Sequence, residues 1–217
     1  FLKILGEIMN HTSFDREKHT YKSNAFDEII KDTIRFFNGT PVHTLPPPTR
    51  FQGTGVYALY YIGKSNYYKP LYEINRMEFS QPIYVGKAVP RGWRQSKNIN
   101  EGKFSHELFR RLKEHSKSIE QAENLDLADF YCRFMILENS ASNLIATVEA
   151  ELIRHYKPIW NTHIDGFGNH DPGSGRYNQK KSGWDILHSG RSWAEKCVGE
   201  SSTIENIEKI GRIIFCG

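Results

Sequence analysis

The sequence predicts an α+β fold: a small three-stranded sheet flanked by helices, with a helical N-terminal arm, an insertion and a loop-rich C-terminal extension. Three observations carry this. Runs of β-type composition stand at 55–61, 82–87 and 129–137, "GVYALYY", "PIYVGK" and "DFYCRFMIL", rich in the β-branched and aromatic residues that suit a pleated surface. Apolar residues recur at helical spacing over 23–37, 105–119 and 142–156. Between these segments lie Gly, Pro and polar residues in stretches too irregular for either period. The chain divides accordingly into an arm, helix and connector over 1–50, a compact core over 51–163 with an insertion at 62–81, and an extension over 164–217.

The elements follow in order. Residues 1–22 are polar and read as an arm, with Met9 a candidate initiator and the eight residues before it a leader. Ser23 suits an N-cap, and Phe26, Ile29, Ile30, Ile34 and Phe37 share one side of the helix that follows, which Gly39 ends. "HTLPPPTR" at 43–50 fits neither a regular helix nor a central strand, because proline lacks a donor, and reads as an extended connector. After the first strand, "IGKSNYYKPLYEINRMEFSQ" at 62–81 is a polar, tyrosine-rich excursion that leads to the second. A helix runs from a cap at Ser105 to about Ile119, the third strand follows, and Pro158 stops the helix at 142–156. Residues 165–193, rich in Gly, His, Trp and basic side chains, read as long loops with short elements.

Composition excludes several classes. With 38% hydrophobic and 25% charged residues among 217, the chain is an ordinary globular protein. It has no apolar run near the roughly 18 residues of a membrane span. The opening "FLKILGEIMN" lacks the basic flank and cleavage site of a signal peptide. Three cysteines without CxxC spacing argue against a disulfide framework or a zinc ribbon and point to a reducing cytoplasm. The net charge of +4 matters less than its distribution: nine Lys and Arg fall between Lys87 and Lys117, against Glu101, Glu107 and Glu114. Such a block suits a polyanion, although a solvated helix face would read the same way.

Chemistry concentrates on two helices. On the helix at 142–156, Ile145, Val148, Leu152, Ile153 and Tyr156 share an apolar arc, and Glu149 falls inside it. A carboxylate there needs a partner, either a basic side chain or a metal ion. On the helix at 105–119, Leu108, Leu112 and Ile119 form an arc with Arg111 and His115 in or beside it, one turn apart. A structural core histidine is the bland alternative. Both helices would pack on a sheet carrying Tyr57 and Tyr84, each beside a glycine. Those glycines fit a hairpin core equally well, or a surface where a phenol meets a close neighbour.

Taken together, Gly55-Val56-Tyr57, Tyr84-Val85-Gly86, Arg111 and His115 in R-x3-H spacing, Glu149, and Asn161 in "KPIWN" form an ordered set. The chain thereby resembles the GIY-YIG nuclease superfamily. Its wider stretches, "FFNGTPVHTLPPPTRFQGTGVYALYY", "PIYVGKAVPRGWRQS", "TVEAELIRHYKPIWNT" and "DGFGNHDPGSGRY", are similar to the type II restriction enzymes of that superfamily that cut CCGCGG. The interval from Tyr57 to Tyr84 is longer than the superfamily's usual spacing.

The resemblance implies an antiparallel core sheet and hydrolysis of double-stranded DNA with Mg2+ or Mn2+. Glu149 would hold the ion, Arg111 would neutralise phosphate charge, and Tyr57 would take the water's proton. His115 and Lys87 would tune or relay that proton, and Tyr84 and Asn161 would hold phosphate, tyrosine or glutamate in place. It further implies a homodimer on a palindrome, a bacterial cytoplasmic setting, and a cognate DNA methyltransferase as genetic companion. Base reading falls to two basic loops: Arg91, Arg94 and Gln95 in one, and Asn169, His170, Arg176, Asn178, Lys180 and Lys181 in the other. Arg and Lys recognise guanine through its major-groove acceptors, while phosphate-only contact is the plain alternative. The tyrosines of the excursion, Tyr67, Tyr68 and Tyr72, suit a partner interface. Two other functions compete, a nicking homing or repair nuclease and a catalytically silent DNA-binding module.

Overall fold

The computed structural model describes residues 14–90 and 105–204. Its centre is an antiparallel sheet of four strands in the order β1-β4-β2-β3, formed by β1 (Val42–Thr44), β2 (Gly55–Tyr61), β3 (Tyr84–Ala88) and β4 (Phe130–Ile136). Three of these are the expected strands. The fourth corrects the three-stranded expectation: Val42, His43 and Thr44 pair with Arg133, Cys132 and Tyr131 just before the prolines begin. The proline run excluded a central strand, and β1 is an edge strand that needs only one row of partners.

Among the described residues six helices surround the sheet: α1 (Asn24–Gly39), α2 (Lys69–Asn75), α3 (Glu107–Gln121), α4 (Ile145–Tyr156), α5 (Ile159–Thr162) and α6 (Gly183–Leu187). Ser23 caps α1, its hydroxyl accepting from the Phe26 amide at 3.4 Å. Ile30 and Phe37 of α1 are buried, whereas Phe26 and Ile29 are exposed, so the buried stripe is narrower than the sequence pattern. Before α1, residues 14–22 are all exposed and form one short 3-10 turn at Arg16–His19. After α4, Lys157 takes the left-handed conformation, φ 46°, and Pro158 begins the next short helix.

All seven residues of β2 are buried because both faces of the sheet are covered. Val56, Ala58 and Tyr60 pack with Val85, Met135, Phe37 of α1 and Ile145, Val148 and Leu152 of α4. Tyr57, Leu59 and Tyr61 pack on the other side with Leu108, Leu112 and Ile119 of α3, Trp160 of α5 and Phe167 and Trp184 of the extension. The two chemistry-bearing helices thus lie on opposite faces, and the sequence pattern had not separated them.

The excursion at 62–81 is folded into this second layer. It carries a 3-10 turn at Asn66–Tyr68 and α2. Asn75 donates to the carbonyls of Tyr61 and Gln81 at 3.2 and 2.9 Å and accepts from the Gln81 amide, which pins α2 to the end of β2. Tyr68 is fully buried. This corrects its expected place at a partner surface: it is core, with Leu71 and Asn75, while Tyr67 and Tyr72 are half-buried.

Tyr68 sits in a one-way chain of donors. The Trp160 indole donates to Tyr68 Oη at 2.8 Å, and Tyr68 meets His188 Nε2 at 2.5 Å. His188 Nδ1 meets Asn124 Oδ1, an acceptor, at 2.7 Å, so Nδ1 carries the proton and Nε2 receives the phenol's. Burial, with a smaller push from Arg191, holds this imidazole down to about 3. The unfolded imidazole titrates near 6.5, so this source of stability is whole above pH 6.5 and is lost progressively as pH falls toward 3. The expected slope is up to about 1.4 kcal/mol per pH unit. Urea unfolding at pH 8 and pH 5 should show a larger loss for the native chain than for His188→Gln. Equal losses would mean that His188 is not buried neutral.

Candidate active site

The site is built around β3, which among the described residues is an edge strand pairing only with β2. In that pairing Tyr57 stands opposite Gly86. A Cβ at Gly86 would lie 2.5 Å from Tyr57 Oη and 3.0 Å from the Tyr84 ring. The glycine of the second motif therefore makes room for the phenol of the first, which settles why the pattern alternates tyrosine and glycine. Asn161 finishes the outer edge of the strand. Its side chain accepts from the Val85 amide at 2.7 Å and donates to the Val85 carbonyl at 2.8 Å, as a neighbouring strand would. Asn161 accordingly grips the β3 backbone.

On one face of β3, α3 brings His115 against Tyr57. Tyr57 Oη and His115 Nε2 are 2.6 Å apart, and both side chains are buried. Burial pushes the Tyr57 phenol well above the usual phenol range, and Tyr84 adds to this while Arg111 opposes it. Burial, with the charge of Arg111, pushes His115 well below the usual imidazole range. Both groups are therefore neutral in the resting protein, and their contact is a phenol–imidazole hydrogen bond. Tyr84 packs edge-on against His115, centroids 5.3 Å apart, and its own phenol is raised by burial and opposed by Arg111. Burial works against the charge of Arg111, but Tyr57, Glu114 and Tyr84 more than offset it.

The other face of β3 supplies the carboxylate. Lys87 Nζ, on β3, is ion-paired with Glu149 Oε2 on α4. The Glu149 side chain is 17% exposed and that of Lys87 39%. Glu149 thus lies at the rim of the α4 stripe rather than within it, and of the two partners considered for it the structure supplies the basic one. Its charge still acts on both phenols across the strand, so the site wraps the β3 edge from both faces. Glu114 accepts from Arg111 at 2.9 Å and also pairs with Arg110.

Among the described residues no three His, Cys, Asp or Glu side chains gather as a metal cluster. The donor set nonetheless fits a magnesium ion. That ion keeps several waters and asks of the protein one or two carboxylates, completing its shell with substrate phosphate. Glu149, 17% exposed at the rim, is one such carboxylate.

The extension adds residues that sequence reasoning missed. Phe167 stacks on His115 with centroids 4.6 Å apart. Gly168 passes close enough that a Cβ there would lie 2.6 Å from Tyr84 Oη. Arg191 is 1% exposed, paired with Asp185 at 2.6 Å, and lies over Trp184 and Trp193. A signal existed: "WDILHSGRSW" sets an Asp and an Arg among tryptophans, the composition of a buried pair.

The base-reading candidates separate. His170 lies at the site, its Nε2 2.5 Å from Arg111 Nη1, while Asn169 beside it is exposed and its carbonyl accepts from Arg191. Arg176, Asn178 and Lys180 are exposed further along, on a turn tied by Asp171 to Gly173 and Tyr177. Lys181 is half-buried and paired with Glu195 at 2.5 Å. Arg91, Arg94 and Gln95 lie outside the described residues.

A family model for the Eco29kI GIY-YIG domain matches residues 49–213. The chain belongs to that family. It is a family of type II restriction endonucleases, so the chain carries a GIY-YIG nuclease domain whose substrate is DNA, and divalent-metal dependence is general among GIY-YIG nucleases. No curated protein matches the chain. Among the described residues no helix is long and apolar enough to cross a membrane.

Proposed function

We propose that the protein is a site-specific type II restriction endonuclease that cuts both strands of double-stranded DNA at a short G/C-rich palindrome. CCGCGG, which Eco29kI recognises, is the first sequence to try. The reading draws its main support from one observation: a buried Tyr57–His115 hydrogen bond and the Arg111 guanidinium stand at a β3 edge whose other face carries Glu149.

In this reading Tyr57 and His115 act as a relay. Water gives its proton to Tyr57 Oη as the phenol's own proton passes to His115 Nε2, and the resulting hydroxide attacks phosphorus as the P–O3′ bond breaks and the 3′ oxygen leaves to take a proton from solvent. Depression of the His115 pKa keeps Nε2 free to receive, and a phenol that need not ionise avoids the cost of a buried anion. Arg111 meets the charge that develops on the phosphate oxygens. Lys87 leaves Glu149 to bind the phosphate. Glu149 would hold a magnesium or manganese ion, one per site, which would supply Lewis acidity to the phosphodiester chemistry. Asn161 keeps β3, and so Tyr84 and Lys87, in register. One core serves one strand, so two copies related by a two-fold axis would meet a palindrome. The companion methyltransferase and a bacterial cytoplasmic setting belong to the same proposal.

The test is incubation with Mg2+ and plasmids with and without CCGCGG, followed by end-sequencing and sedimentation of the complex. Discrete fragments from the first plasmid and two chains per duplex are expected. Nicked circles would instead favour the nicking nuclease, and a shift without cutting the silent binding module.

A further inference from the structure

We infer that His170 of the C-terminal extension is a positioning residue for Arg111, so that the segment between α5 and α6 completes the active site. The inference rests on the nuclease reading above. Arg111 Nη1 donates to Glu114 Oε2 at 2.9 Å and to His170 Nε2 at 2.5 Å. Both hydrogens of Nη1 are thereby committed, which fixes the plane of the guanidinium beside the Tyr57 phenol, to which it also hydrogen-bonds. A guanidinium does not give up its proton, so Nε2 must offer a lone pair and the imidazole must be neutral. Without His170, Glu114 holds the guanidinium from one side only, and Glu114 is shared with Arg110.

The loop holds His170 firmly on its N-terminal side. Arg191 donates to the carbonyls of Gly166, Phe167 and Asn169 at 2.9, 3.2 and 3.5 Å. Arg191 is itself fixed by Asp185 and the two tryptophans. One buried arginine therefore sets the loop that stacks Phe167 on His115 and brings His170 to Arg111. The charged and titratable groups acting on His170 are Arg111, Glu114, Arg110 and Arg191, with His115 nearby. Burial and then Arg111 lower its pKa, which keeps the acceptor form.

His170 is exposed, so its variants should fold, unlike those of Arg191. At saturating cognate DNA, His170→Ala should cut about 10- to 100-fold more slowly in a single turnover, the scale on which misplacing a catalytic group acts. Its Kd for DNA without divalent metal should stay within about threefold of the native value, since the residue acts through Arg111 and not on the duplex. His170→Gln, whose amide oxygen also accepts, should recover most of the rate. Arg111→Ala and Arg111→Ala/His170→Ala should be equally slow, because residues acting as one unit are not additive. A rise in Kd that accounts for the whole loss would make His170 a base or phosphate contact, and a double variant slower than Arg111→Ala would make it independent. The contact has its own readout by NMR. The His170 ring should titrate below the usual 6.5 and move toward it in Arg111→Ala; an unmoved ring would overturn the inference. Failure of the native protein to cut any DNA would fault the nuclease reading, leaving the NMR result to decide the contact.

Discussion

Glu149→Gln should abolish detectable cleavage in Mg2+ while leaving the fold and DNA binding in place. The substitution keeps the shape and removes the one charge that Glu149 offers a cation. Lewis-acid assistance is worth several kcal/mol, and each 1.36 kcal/mol is tenfold, so a loss of about 10³-fold or more is expected. Stability should barely change. Lys87 is well exposed, and such ion pairs contribute about 0–1 kcal/mol. The unpaired Lys87 is the one confounding effect, and Lys87→Met/Glu149→Gln controls for it. If the double variant cuts as well as Lys87→Met alone, the carboxylate serves only the lysine. Near-native cutting by Glu149→Gln in Mg2+ would remove the metal role altogether.

The fold was legible where one local rule dominated. Ser23, the 3.6-residue pattern and Gly39 marked α1, and β-rich composition marked β2, β3 and β4. The edge strand at Val42–Thr44 was hidden because three residues beside a proline run carry almost no pattern; Val42 pairs with Arg133 across the chain. Tyr68 was misread for a related reason. A polar stretch rich in tyrosine looks like surface, and only the distant His188 and Trp160 show that its hydroxyl is satisfied inside.

The site was legible as a set of residue types but not as geometry. Arg111 and His115 share a helix face, so their spacing was enough to pair them. Glu149 and Tyr57 lie on opposite faces of the sheet, and helical periodicity says nothing about which face a helix covers. The role of Asn161 followed from β3 being an edge, which depends on strand order. Phe167, Gly168 and His170 reach the site only because Arg191 gathers their loop, a contact across more than twenty residues of sequence.

Tyr57→Phe is the sharpest test of the proton path. It deletes one oxygen from a fully buried ring, and the ring's packing against Leu108, Leu112 and Phe167 remains. The deleted oxygen is the partner of His115 Nε2, so the variant also leaves a buried imidazole nitrogen unpaired, at a cost of about 1–3 kcal/mol. The melting temperature should fall modestly and the fold should persist. Cleavage at saturating DNA should fall by about 10²–10⁴-fold, the usual worth of general-base help. Two companions separate chemistry from packing. Gly86→Ala keeps the hydroxyl but sets a methyl 2.5 Å from it, which must displace the phenol from His115. It should slow cleavage in the same direction although no catalytic atom is missing. The native pH profile of kcat/KM should keep its acid limb below pH 6.5, because burial and Arg111 hold His115 neutral and able to receive the proton there. A limb at or above 6.5 would mean that the proton ends elsewhere. A loss of less than tenfold in Tyr57→Phe, with its fold intact, would leave Tyr57 a packing residue, and His115 would then have to take the water's proton directly.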